Sequence, residues 1–67
     1  MPKRWSSKDV DRLLRQHGFV LVSQKGSHLK YLGNGRTVIV PAGRDPLPHG
    51  TFGSILRQSG LDISQFD

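Results

Sequence analysis

The stretch Lys25-Gly26-Ser27-His28-Leu29-Lys30-Tyr31 places a histidine between two lysines, shortly after a glycine that permits a tight turn. Histidine titrates near neutral pH in its ordinary state, so its imidazole can accept or release a proton during a reaction. Lysine ammonium groups can hold a phosphate. A histidine with a neighbouring lysine suits RNA cleavage, in which one group removes the 2′-hydroxyl proton, the oxygen attacks phosphorus and cations stabilise the developing charge. This route requires no metal ion.

Side chains of a strand alternate between the two faces of a sheet. Leu29 and Tyr31, on the same side as Ser27, are the apolar pair expected to point into the core, so His28 and Lys30 are predicted to point outward together. Because adjacent strand residues point apart, the pattern argues against Ser27 and His28 acting as a nucleophile and its base. The alternative is a plain surface histidine, since one histidine alone is weak evidence for a site.

The segments around this stretch predict two helices and three strands. Val10, Leu13 and Leu14 recur at helical spacing, and Gly33-Asn34-Gly35 is typical of a hairpin turn. The predicted elements are a helix over 7–17, strands over 19–24, 27–32 and 36–40, and a second helix that begins near Pro48 or His49 and ends before Gly60.

This order predicts one α+β domain over residues 1–67, with a three-stranded antiparallel sheet in the arrangement α-β-β-β-α. Two amphipathic helices can cover one face of such a sheet, which leaves the other face in water. In the third strand, the sequence does not decide whether Val38 and Val40 or Thr37 and Ile39 point inward.

Composition limits the classes of function. The chain has 67 residues and no cysteine, which excludes disulfides and thiolate metal sites and is compatible with a reducing cytosol. No apolar run approaches the roughly 20 residues that span a bilayer. The first five residues are charged without an apolar stretch behind them, which predicts no signal peptide.

The charge is uneven: ten Lys and Arg face five Asp, and residues 1–36 carry eight of the basic residues. A basic half indicates a polyanionic partner, although a solvated charged surface is the simpler alternative. The candidates for phosphate contacts lie near the start of the first helix and on or beside the sheet; they are Lys3, Arg4, Lys8, Lys25, Lys30 and Arg36.

The other histidines are weaker candidates. His17 falls in the last turn of the first helix, where the helix dipole favours positive charge. His49 falls at the start of the second helix, beside backbone amides that can bind phosphate, so it is a second acid–base group, a phosphate contact or a plain helix-start residue. The three histidines lack the short spacing of a metal motif, and the aspartates do not cluster, so we expect no metal and no cofactor.

Three segments together resemble the HicA-type toxins, the small ribonuclease members of HicA–HicB toxin–antitoxin pairs. They are Ser6-Ser7-Lys8-Asp9-Val10 with Leu13-Leu14 and His17-Gly18-Phe19; Lys25-Gly26-Ser27-His28 with Lys30-Tyr31; and Gly50-Thr51-Phe52 with the run from Ile55 to Leu61.

The resemblance implies a fold similar to a double-stranded-RNA-binding domain, metal-independent cleavage of mRNA in the cytoplasm, and neutralisation by a HicB-type antitoxin. It also implies that His28 is the catalytic histidine. Many relatives carry a further histidine soon after the third-strand proline, whereas here Pro41 is followed by Ala42-Gly43-Arg44. His49 is the nearest histidine, so His49, like Lys30, is a candidate for a role that assists His28.

Two other functions fit the same pattern. A non-catalytic RNA-binding module would use the same basic face, because proteins that bind double-stranded RNA depend on shape and phosphate contacts. A DNA-binding protein ranks last, since no segment resembles a recognition helix. The oligomeric state is left open.

Overall fold

The structure, a computed structural model, describes residues 5–62 and residue 64. Its elements are α1 Ser7–Gln16, β1 Val20–Lys25, β2 His28–Gly33, β3 Arg36–Pro41 and α2 His49–Ser59. The predicted order α-β-β-β-α is confirmed, and the predicted bounds lie within a residue or so of these. The predicted phosphate contacts Lys3 and Arg4 lie outside the described residues. In the described part of the chain, no helix has the length and apolar character needed to cross a membrane.

The first helix begins with a reciprocal cap. The Ser6 hydroxyl accepts a hydrogen bond from the Asp9 amide at 3.1 Å, and the Asp9 carboxylate accepts one from the Ser6 amide at 3.1 Å. These bonds satisfy backbone donors that would otherwise lack partners at the helix start. Val10, Leu13 and Leu14 are buried, so the predicted apolar face of α1 is the one that packs on the sheet.

The three strands form one antiparallel sheet in the order β1-β2-β3. Asn34 and Gly35, with φ of 52° and 72°, form the turn between β2 and β3. Positive φ at both central residues matches the right-handed twist of the flanking strands, which is why Asn-Gly is favoured there. The Asn34 side chain also donates to the His17 carbonyl at 3.1 Å and so ties this hairpin to the end of α1.

Both helices lie on one face of the sheet, and the core lies between them and the strands. The structure decides the orientation of β3, since Val38 and Val40 are fully buried while Thr37 and Ile39 are exposed. The buried apolar residues are Trp5, Val10, Leu13, Leu14, Phe19, Tyr31, Val38, Val40, Leu47 and Ile55.

The segment between β3 and α2 joins the core at Leu47. Its amide donates to the Trp5 carbonyl at 2.7 Å, and the Trp5 ring stacks on Phe52 of α2 with the ring centroids 5.9 Å apart. The proline-rich loop is therefore held between Trp5, which precedes the cap of α1, and the helix that follows.

Tyr31 links the sheet to α1. Its hydroxyl donates to the Asp11 carboxylate at 2.5 Å, and the same carboxylate is paired with Arg15 at 3.0 Å. Burial, and then the hydrogen bond to Asp11, raise the pKa of the Tyr31 phenol above its ordinary value, because both favour the neutral form.

Candidate functional site

His28 is the first residue of β2 and lies on the sheet face turned away from the helices, which we call the outer face. Lys30 lies on the same face, and both side chains are exposed. Tyr31 is buried and Leu29 packs against the core, as alternation predicted. Ser27 precedes the strand and is exposed in the turn, so β2 begins one residue later than predicted.

A shallow depression of about 200 Å³ surrounds His28 on the outer face. Its lining combines cationic, hydroxyl and apolar side chains from all three strands: Ser23, Lys25, His28, Lys30 and Ile39. Three residues predicted from sequence, namely Lys25, His28 and Lys30, are thus brought together. Ser23 and Ile39 were not predicted.

A bulge in β1 explains why Ser23 and Lys25 reach this depression. Val20 pairs with Leu32, but the register shifts between Leu21 and Ser23, so that Ser23 pairs with Lys30 and Lys25 pairs with His28. An extra residue in one strand reverses the alternation of the residues that follow it. Simple alternation from Val20 would have directed these two side chains to the opposite face, and no residue pattern in β1 signals the bulge.

The electrostatic character of the outer face is positive. No Asp or Glu occurs between Asp11 and Asp45, an interval that includes the entire sheet. Asp9 and Asp11 lie on α1 and form ion pairs there with Arg12 and Arg15. A cationic depression whose described lining holds no carboxylate is suited to an anionic ligand such as a phosphate group.

Other predicted contacts lie away from the depression. Arg36 points to the helix side of the sheet, where its guanidinium packs against Gly60. The contact is so close that a Cβ atom added to Gly60 would lie 2.6 Å from Arg36 Cζ. Lys8 is exposed on α1 beside the loop at Gly43. His49 is exposed as the first residue of α2, and it does not line the depression.

Within residues 5–62 and 64, no group of three or more His, Cys, Asp or Glu side chains is placed to hold a metal ion. Among the same residues, no hydrogen bond or ion pair holds the His28 side chain. The backbone at the start of β2 therefore fixes the position of the His28 Cβ and the face to which it points, whereas no described side chain fixes the rotamer of the imidazole.

The fold and the site define a small α+β domain that has two helices on one side of a sheet and a basic, histidine-bearing face on the other. The model of the family described as the HicA toxin of bacterial toxin–antitoxin matches residues 7–61, and the chain belongs to this family. No curated protein matches the chain. The chain is thus the toxin of a toxin–antitoxin pair, and its family implies a cognate antitoxin as partner.

Proposed function

We propose that this toxin is an endoribonuclease that cleaves mRNA in the cytoplasm by acid–base chemistry at His28, without a metal ion. One observation carries the proposal: His28 is exposed in a depression shared with Lys25 and Lys30 on a sheet that has no carboxylate. An accessible imidazole beside two cations can supply a proton transfer and the charge stabilisation that RNA cleavage through the 2′-hydroxyl uses.

In this reaction the ribose 2′-hydroxyl loses its proton, its oxygen forms a bond to the adjacent phosphorus, and the bond from phosphorus to the 5′-oxygen breaks. The 5′-oxygen takes up a proton, which leaves a 2′,3′-cyclic phosphate and a 5′-hydroxyl. His28 can serve as the base for the first proton or as the acid for the second. Lys25 and Lys30 would bind the phosphate and offset the charge that builds on its free oxygens.

The test is incubation of purified protein with RNA in the presence of a chelator. Wild type should yield products ending in a cyclic phosphate. The cleavage rate of His28→Ala should be lower by at least about a hundredfold, the lower end of the usual contribution of a general acid or base. Thr37→Ala, on the same face but outside the depression, is the matched control and should cleave normally.

The free energy of unfolding of both His28→Ala and Thr37→Ala should lie within about 0.5 kcal/mol of the wild-type value, because these side chains are exposed. Cleavage by His28→Ala at the wild-type rate would contradict the proposal. Salt-sensitive RNA binding by wild type with no product would instead favour the non-catalytic RNA-binding module. His49→Ala tests the assisting role of that residue, which predicts a partial loss of rate.

We further propose that the antitoxin is of the HicB type and that it covers the outer face. Apolar side chains are exposed there in and beside the depression: Val20 by 57%, Val22 by 47%, Leu32 by 40% and Ile39, which lines it, by 39%. We call these four residues the apolar strip. Contiguous exposed apolar side chains next to a charged site are typical of a protein interface, and the lysines beside the strip complement an acidic partner.

A further inference from the structure

Ser7 makes hydrogen bonds that α1 itself does not need. It is the first residue of the helix and only 5% exposed, yet the cap of the helix is supplied by Ser6. The Ser7 hydroxyl donates to the Pro41 carbonyl at 2.6 Å and accepts from the Arg44 amide at 2.9 Å. The Ser7 amide donates to the Arg44 carbonyl at 2.8 Å. All three bonds therefore hold the segment 41–44 that follows β3.

This segment is bonded in turn to the backbone beside His28. Pro41 is the register partner of His28, and the Ala42 amide donates to the Ser27 carbonyl at 2.6 Å. A continuous series of hydrogen bonds thus runs from buried Ser7 through segment 41–44 to the residue before His28. No side chain in the described part of the chain holds the imidazole, so this backbone segment is what supports the His28 Cα and the direction in which its side chain leaves β2.

We infer that Ser7 is a positioning residue for His28: by fixing segment 41–44 from the helix side, it holds the end of β2 that presents the imidazole to RNA. This inference rests on the proposed ribonuclease function. Ser7 does not line the His28 depression, so it acts through the backbone and does not contact the substrate. Small displacements of a reacting group can cost about a hundredfold in rate.

The test compares Ser7→Ala with Ser6→Ala. Both remove a hydroxyl from the start of α1, but only the first removes bonds to segment 41–44. Under conditions where both variants are folded, Ser7→Ala should lower kcat for RNA cleavage by about tenfold or more while KM stays within about twofold. Ser6→Ala should keep both constants near wild type.

Amide hydrogen exchange gives a readout that does not depend on activity. In Ser7→Ala the Ala42 amide, which is bonded to the Ser27 carbonyl, should exchange faster, whereas in Ser6→Ala it should remain protected. If Ser7→Ala does not fold, Ser7→Cys replaces it; a thiol is of similar shape but forms weaker hydrogen bonds, so the same losses should appear in smaller degree.

The two possible failures can be separated. If wild type cleaves RNA and Ser7→Ala cleaves equally well, or if Ser6→Ala loses as much kcat, the positioning role is overturned and the ribonuclease function stands. If wild type does not cleave RNA, the proposed function fails. Independently of activity, an unchanged hydrogen-exchange rate of the Ala42 amide in Ser7→Ala would show that Ser7 does not support segment 41–44.

Discussion

At the scale of single residues, His28 and Lys30 gain their significance from being on the same face of β2. Their separation by one inward residue, Leu29, could be read from the sequence, because side chains of a regular strand alternate between the two faces of the sheet. Lys25 joins them for a different reason: the bulge in β1 directs it to the same face, where it pairs with His28. The depression is therefore partly local in origin and partly a product of strand pairing.

Lys30 is expected to contribute binding through its charge. The Lys30→Gln substitution is made in a His28→Ala background, which leaves RNA intact, and should weaken RNA binding. A plot of the logarithm of the association constant against the logarithm of the salt concentration should become less steep by about 0.7 to 1, the value for one phosphate contact. The measurement is fluorescence anisotropy of labelled RNA over a range of salt concentrations.

Arg57→Gln is the charge-matched control for Lys30, because Arg57 is exposed on α2 and outside the depression. It should leave the salt slope nearly unchanged. Equal slopes for the two variants would mean that RNA responds to net charge and not to the depression, which would remove Lys30 from the binding site.

At the scale of elements, close contacts fix how the β2–β3 hairpin meets the end of α1. A methyl group on Gly33 would lie 2.6 Å from the Gly18 carbonyl oxygen and 2.8 Å from Phe19 Cα. Only a glycine allows this approach, since both obstructing atoms belong to backbone that cannot move independently. The sequence showed Gly33 as part of a hairpin signal, but its packing partner is distant in the chain and could not be predicted.

The Tyr31–Asp11 bond between β2 and α1 predicts a dependence of stability on alkaline pH. In the unfolded chain the phenol should ionise near its ordinary value of about 10, whereas burial and Asp11 keep it neutral to higher pH in the folded protein. A raised folded-state pKa means that this contribution is complete below about pH 10 and is lost as pH rises toward the folded-state value.

Urea denaturation of wild type and Tyr31→Phe measures this contribution. At neutral pH wild type should be more stable by about 1 kcal/mol, the usual value of one hydrogen bond, and the difference should shrink above about pH 10. Tyr31 is the only tyrosine, so the near-ultraviolet absorbance of its phenolate reports its ionisation directly. A constant difference across this pH range would contradict the assignment.

At the scale of the whole molecule, basic and apolar surfaces meet on one face. The helices cover the inner face of the sheet with the core, so the outer face of the sheet stays exposed to solvent. Lys25, His28 and Lys30 occupy one end of it, and the apolar strip adjoins them. A single antitoxin bound across both parts would bury apolar surface and block access to His28 together.

This arrangement predicts that antitoxin binding and RNA cleavage can be separated by mutation. Val22→Glu should weaken binding of the cognate antitoxin by more than about tenfold, because it places a negative charge within an apolar contact. RNA cleavage should fall much less, since Val22 does not line the depression. Isothermal titration calorimetry and the cleavage assay measure the two effects.

Gln16→Glu serves as the control for Val22→Glu, because it makes the same change of charge at an exposed position on α1. Its antitoxin affinity should match that of wild type. If both variants bound the antitoxin as tightly as wild type does, the outer face would not be the docking surface.

The sequence by itself determined the order of elements, the Asn34-Gly35 turn and the outward direction of His28 and Lys30. These features depend on residues that are neighbours in the chain, where periodicity and turn chemistry act locally. The resemblance to HicA toxins could likewise be recognised from short segments, and the family match confirms it.

Only the tertiary structure decided the inward pair Val38 and Val40, the β1 bulge that brings Lys25 to His28, the placement of Arg36 against Gly60, and the bonds from Ser7 to segment 41–44. The physical reason is common to all four. Each depends on a partner that is distant in sequence, and strand register, side-chain packing and long-range hydrogen bonds are settled only when the helices and the sheet pack together.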